Sequence, residues 1–223
     1  MPQNSVSLPV IDRPDVHAAS VEVIVAEGRE TQQSVLDAVA ADWRSRSWPR
    51  GLVSASSYRS TDERSVLTYV QWATREAVDR SLREDRNEPG WGVAGASSRG
   101  PVPYRLYRVV RGGALTEPAP VPGCFPAAVF PMTGVEAARR WIDGLLAAEE
   151  ETEGEDRAYP GAIAANFHVS LDGSSVLVLS EWASEKEAAD HIDEVIEPLL
   201  EAAGGGDAGA RYVHCLTLSG PDV

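Results

Sequence analysis

The chain has 223 residues, 43% of them hydrophobic and 24% charged, with a net charge of −14. That is enough to build one large core or two small ones, and no apolar run approaches the roughly 20 residues a membrane helix needs. Residues 1–111 carry 15 Arg and 14 acids, net +1, whereas residues 112–223 carry 5 basic residues and 20 acids, net −15. Such acidity disfavours nucleic acid as a partner. The N-terminus has no charged segment followed by a hydrophobic one, so the expectation is a cytoplasmic protein without membrane association. Cys124 and Cys215 are too few for a disulfide scaffold or a cysteine metal site and read as buried thiols.

In chain order, residues 1–19, with Pro2, Pro9 and Pro14, predict a disordered tail. "VEVIVAEG" (21–28) predicts a strand, and Val35, Leu36, Val39 and Trp43 mark the apolar face of a helix after it. The block "WPRGLVSASSYRSTDERSVLTYVQWATREA" (48–77) opens with an aromatic, Pro and Gly, continues through two strands to Trp72, and starts a second helix. "EPGWGVAGASSRGP" (88–101) is Gly-rich and carries Trp91, which fits either a long surface loop or a mobile flap over a pocket. "YRLYRVV" (104–110) supplies a last strand.

Residues 112–123, rich in Pro and Gly, predict a linker. "PAAVFPM" (126–132) predicts a strand, followed by a helix with Val135, Ala138, Ile142, Leu145 and Leu146 on one face. The acidic run "EEETEGED" (149–156) reads as a solvated loop. Then "YPGAIAANFHVSLDGSSVLVLSEWASEKEA" (159–188) repeats the first block feature by feature. A helix with Ala188, Ile192, Val195, Ile196 and Leu199 at helical spacing and the strand "RYVHCLTL" (211–218) complete the chain.

Each half therefore reads β-α-β-β-α-β, the ferredoxin-like order. The predicted fold class is α+β: two ferredoxin-like modules in tandem, residues 20–111 and 124–219, forming an intramolecular dimeric α+β barrel. In this reading the chain is its own pseudo-dimer, and further homodimerisation stays open.

The strand-end "QW" and "EW", the helix starts "ATREA" and "ASEKEA", and the histidine later in the second of those helices resemble antibiotic biosynthesis monooxygenase domains of the dimeric α+β barrel superfamily. The resemblance spans residues 20–219, twice. It implies chemistry in which some relatives oxidise aromatic polyketides to quinones with dioxygen, without metal or flavin, while others degrade heme or only bind small molecules. Quinone-forming relatives carry an asparagine four residues before the strand-end tryptophan, where this chain has Val178 and Thr68. Heme-degrading relatives carry one on the first strand, where this chain has none.

Cofactor-free oxygenation requires an electron-rich substrate, a dry aromatic pocket, a base, and donors that steady an anion. His191 borders the buried face of its helix, one turn from Ala188 and Val195. On strand 162–170, Ile163, Ala165, Phe167 and Val169 alternate with Asn166, His168 and Ser170, a polar row that a pocket wall would explain. His191 and His168 are thus the candidate bases, and Trp182, Asn166, Trp72 and Tyr58 the candidate substrate-binding residues. The same residues also fit core aromatics and a hydrogen-bonded boundary histidine. In the first half Tyr58 replaces His168, Ser56 replaces Asn166 and Arg80 replaces His191, so a base titrating near neutral pH is missing there.

Two functions follow. One is a cofactor-independent monooxygenase taking a polycyclic aromatic phenol or anthrone and dioxygen, with no cofactor and no metal. The other is a non-catalytic small-molecule-binding or accessory protein of a biosynthetic complex.

Overall fold

The computed structural model describes residues 3–5, 8–84, 89–112, 120–153, 159–202 and 207–220. Most of the predicted linker, residues 113–119, and the end of the acidic run, 154–156, lie outside them. Two compact units form: unit 1 comprises Met1–Tyr104 and Tyr212–Val223, and unit 2 comprises Arg105–Arg211.

Unit 1 begins with β1 (Gln3–Ser5), β2 (Ala18–Ala26) and α1 (Arg29–Ser45). Between β1 and β2, Ile11 is buried, and Gln71 Nε2 donates to the carbonyls of Val10 and Ile11. The four apolar positions predicted for α1 are all buried, together with Gln32, whose amide donates to Ser60 and Ser65 carbonyls. The hairpin β3 (Leu52–Ser60) and β4 (Ser65–Trp72) leads to α2 (Arg75–Glu84). A single 3₁₀ turn, Pro89–Gly92, and β5 (Ala96–Ser98) lie within the Gly-rich stretch, so it is structured where β5 pairs with β2.

Strand β6 (Val102–Arg111) leads into unit 2, which holds β7 (Phe125–Pro131), α3 (Val135–Glu153), β8 (Ala162–Ser170), β9 (Ser175–Trp182), α4 (Glu185–His191) and α5 (Glu197–Ala202). The chain ends in β10 (Ala210–Ser219). Helix α3 runs through residues 149–153, so the start of the acidic run is helical rather than a loop. Its Ala138 and Ile142 pack with Phe167, Val169 and Val176 as the unit 2 core.

The two hairpins share their construction. β3 and β8 have nine residues, β4 and β9 have eight, and each pair carries a bulge at its first positions, Leu52/Ser54 and Ala162/Ala164. Ahead of each hairpin a glycine has positive φ, Gly51 at 87° and Gly161 at 77°. At Gly161 a Cβ would sit 2.4 Å from the Glu187 carboxyl, and at Gly51 2.8 Å from Ala77 Cβ, so only glycine gives both the backbone conformation and the close approach of the following helix.

The predicted fold class is corrected at the closing strands. β6 was expected to finish the first ferredoxin-like module and β10 the second. Instead, residues 102–104 of β6 pair with β2 in unit 1 and the rest of the strand belongs to unit 2. β10 is divided likewise: residues 212–219 pair with β3 in unit 1, and residues 210–211 fall in unit 2. Nine of the ten described strands follow one hydrogen-bonded order, β1-β10-β3-β4-β2-β6-β8-β9-β7, with β10 also pairing β7, and β5 pairs β2 off this path. The chain is thus a single antiparallel strand system with helices, not two tandem ferredoxin-like modules, each with its own sheet, associating as an intramolecular dimeric α+β barrel. A ten-residue strand can serve two ladders in succession, leaving fewer unpaired edge N–H and C=O groups than two separate sheets would.

Cys124 is buried and Cys215 exposed, neither in a disulfide, so the expectation of buried thiols holds for Cys124 alone. No described helix is long and apolar enough to cross a membrane.

Candidate functional site

The corner between β9 and α4 brings Trp182 and His191 together. Ser184 caps α4: its Oγ accepts from Glu187 N–H at 3.3 Å and donates to Glu187 Oε2 at 2.7 Å, a reciprocal cap that sets where the helix starts. His191 ends α4. The next residues, Ile192–Ile196, widen into a π turn in which Glu197 N–H reaches Ile192 O. Pro198 follows and lacks the N–H that an α-helix would use there. Sequence periodicity at 3.6 residues per turn does not register this widening, which is common at functional sites.

The His191 ring lies 4.8 Å from Trp182 and 4.3 Å from Tyr159, centroid to centroid. The three rings form part of the wall of a cavity of about 200 Å³ in unit 2, with Phe130, Trp141 and Phe167 among the other lining residues. Trp182 is 5% exposed, and its Nε1–H donates to Ser180 Oγ at 3.3 Å. The cavity wall is dominated by carbon, and His191 Nδ1 is buried without a hydrogen bond. Burial alone pushes the His191 pKa from 6.5 down to about 4, because an apolar surround penalises the charged imidazolium. At neutral pH the ring is therefore uncharged.

Asn166 and His168 are placed elsewhere. Strand alternation turns them to the face of β8 opposite Phe167, and neither lines the cavity. Both are 0% exposed. Asn166 Nδ2 donates to Leu179 O at 3.0 Å and Glu181 Oε1 at 2.9 Å, while Asn166 Oδ1 is unpartnered. His168 Nδ1 lies 3.1 Å from Asn166 O, and burial takes its pKa down to about 4. The predicted group of four in the second half thus separates into a cavity pair, His191 with Trp182, and a buried polar pair.

In unit 1, Tyr58 is buried with its ring 5.5 Å from His214, and it is not among the lining residues of the unit 2 cavity or of the one beside Trp72. Trp72 lines a second cavity of about 230 Å³, and its Nε1–H donates to Ser20 Oγ at 3.0 Å. Sequence reasoning missed Glu22 there, which accepts from Trp91 Nε1 at 3.2 Å and Ser98 Oγ at 2.5 Å; Trp91, read as part of either a surface loop or a flap over a pocket, lines this cavity. The sequence reading also left Tyr159 unassigned, although that residue opens the repeated block. Among the described residues, no group of three or more His, Cys, Asp and Glu side chains gathers as a metal ligand set.

With this geometry in place, the fold falls among those of solved structures described as monooxygenase-like. An anthrone oxidase-like protein superposes with a TM-score of 0.67 at 15% identity, covering 92% of this chain and 94% of that one. A Fusobacterium nucleatum protein provisionally assigned as a monooxygenase gives 0.52 at 6% identity, over 92% and 95%. Identities this low establish shared fold alone. No known family model and no curated protein matches the chain.

Proposed function

We propose that the chain is a cofactor-independent monooxygenase that oxidises an anthrone or polycyclic phenol to a quinone with dioxygen in the unit 2 cavity. The observation that carries this is the uncharged His191 ring, which lines a carbon-walled cavity beside Trp182 and Tyr159. The described fold of an anthrone oxidase-like protein is consistent with it.

His191 takes the substrate's acidic proton, and the flat anion stacks against Trp182 and Tyr159. One electron passes to dioxygen, giving a substrate radical and superoxide. Their recombination forms a C–O bond to a peroxide anion, the imidazolium returns its proton to give the hydroperoxide, and loss of water, which takes the hydrogen on the same carbon, leaves a carbonyl. For an anthrone the balance is substrate plus O₂ giving quinone plus H₂O, so one oxygen of dioxygen enters the quinone. The carbon walls limit water access to the anion and the peroxide.

A second reading, binding without turnover, is favoured by one observation. Burial lowers the His191 pKa to about 4, so the ring is a weaker base towards a phenol than an ordinary histidine.

Labelled dioxygen separates the two. Incubation with an anthrone under ¹⁸O₂ should yield quinone carrying one ¹⁸O, with oxygen uptake above the protein-free rate. Binding without uptake would leave the accessory reading standing and remove the catalytic one.

A further inference from the structure

The geometry points to a second ligand site, in unit 1, that takes a small organic ammonium ion. The inference starts from an inversion in β2. In "VEVIVA", Val23 and Val25 are 42% and 48% exposed, whereas Glu22 is 8% exposed, on the inward face with Ile24 and Ala26. An acid takes a core position while valines face out. Local rules of this kind are broken chiefly at functional sites.

Glu22 lines the unit 1 cavity together with Trp43, Trp72 and Trp91. Its carboxylate accepts hydrogen bonds from Trp91 Nε1 and Ser98 Oγ, and no described cation pairs with it. Its hydrogen-bond donors among the described residues are neutral, and an ammonium ligand in the cavity would bring an opposite charge to the carboxylate. The indoles fit the same ligand. Trp72 Nε1–H is held by Ser20 and Trp91 Nε1–H by Glu22. With its N–H edge engaged, the partly exposed Trp91 ring offers a ligand carbon surface and π density, which attract an organic cation, while Trp72, 1% exposed, backs the wall. Trp43 already accepts one, with the Arg46 guanidinium 4.6 Å from its ring centroid.

The placement of Trp91 carries a further sign. Its φ is 59°, a region that bulky side chains rarely occupy. The hydrogen bond to Glu22 ties the strained residue to the cavity, as at sites where strain is retained for binding. Arg99 also lines the cavity but is exposed, where solvent screens it more than the buried Glu22.

Titration calorimetry with choline and with its neutral isostere, in which carbon replaces the quaternary nitrogen, tests this site apart from the unit 2 reaction. Choline should bind at least tenfold more tightly than the isostere, Glu22→Gln should bring the ratio to about one, and His191→Phe should leave it unchanged. Equal binding of the two probes by the wild type, or no saturable heat from choline, overturns the proposal without use of any variant. So does a choline preference that survives in folded Glu22→Gln. If acetate binds in choline's place and Arg99→Gln abolishes it, the cavity is an anion site and the proposal is wrong.

Discussion

The two cavities occupy corresponding corners, one beside Trp72 where β4 ends and one beside Trp182 where β9 ends, and yet they differ in chemistry. The unit 2 cavity is walled by carbon and holds a neutral histidine whose Nδ1 has no partner. The unit 1 cavity holds a carboxylate whose two bonds come from an indole and a serine. Nearly the same hairpin geometry supports both. What differs is a few inward-facing side chains, so the corner tryptophans describe the scaffold and the polar residue in each cavity describes the ligand.

If the tryptophans are scaffold, both should be costly to remove. Trp72→Ala and Trp182→Ala should each lower unfolding free energy by about 3–5 kcal/mol, as read by chemical denaturation. A loss below about 1 kcal/mol at Trp182 would mark it as a ligand contact with little structural role and would separate the two corners.

The comparison sharpens in acid. His168 and its first-half counterpart Tyr58 are both fully buried and make the same register pair, with Leu177 and Leu67 respectively, but only the histidine titrates in this range. Its folded pKa, about 4, lies below its ordinary 6.5. The unfolded chain therefore binds the proton first: the stability is complete above about pH 6.5 and is lost as pH falls towards 4. The loss from this one group is about 3 kcal/mol, and His168→Gln should remove that part of the acid sensitivity. An unchanged difference in stability between pH 7 and pH 4 would contradict the neutral buried histidine.

A smaller effect tests the unit 1 carboxylate. Trp91→Phe deletes one hydrogen bond to Glu22, and the expected cost is about 1.5 kcal/mol. Oxygen uptake in unit 2 should not change. Smallest of all, Tyr58→Phe should alter stability by at most about 1 kcal/mol and leave oxygen uptake untouched. A large fall in uptake in that variant would place the chemistry in unit 1.

The elements were legible because alternation and 3.6-residue spacing are local signals. Val35, Leu36, Val39 and Trp43 announce the buried face of α1, and all four are buried. Strand pairing is not local. Nothing in "YRLYRVV" or "RYVHCLTL" encodes that one strand changes ladders midway, so the closing strands were assigned to separate modules. The site was legible in part for the same reason. Trp182 and His191 are nine positions apart, joined by a two-residue turn and the length of α4, whereas Tyr159 reaches His191 through the approach of α4 to the start of β8. His168 and Asn166 share a strand face, but sequence could not say which face the cavity occupies. Glu22 was the least visible, because an acid in an alternating strand reads as solvent-facing.

The central claim is that His191 is the proton acceptor of an oxygenation confined to the unit 2 cavity. Initial oxygen uptake with an anthrone, measured side by side for the wild type, His191→Phe and Glu22→Gln with folding verified by circular dichroism, tests it most directly. The account predicts wild-type rates for Glu22→Gln and a loss of roughly 100-fold or more for His191→Phe, the contribution of a positioned base. Undiminished uptake in His191→Phe, or a loss confined to Glu22→Gln, would contradict it.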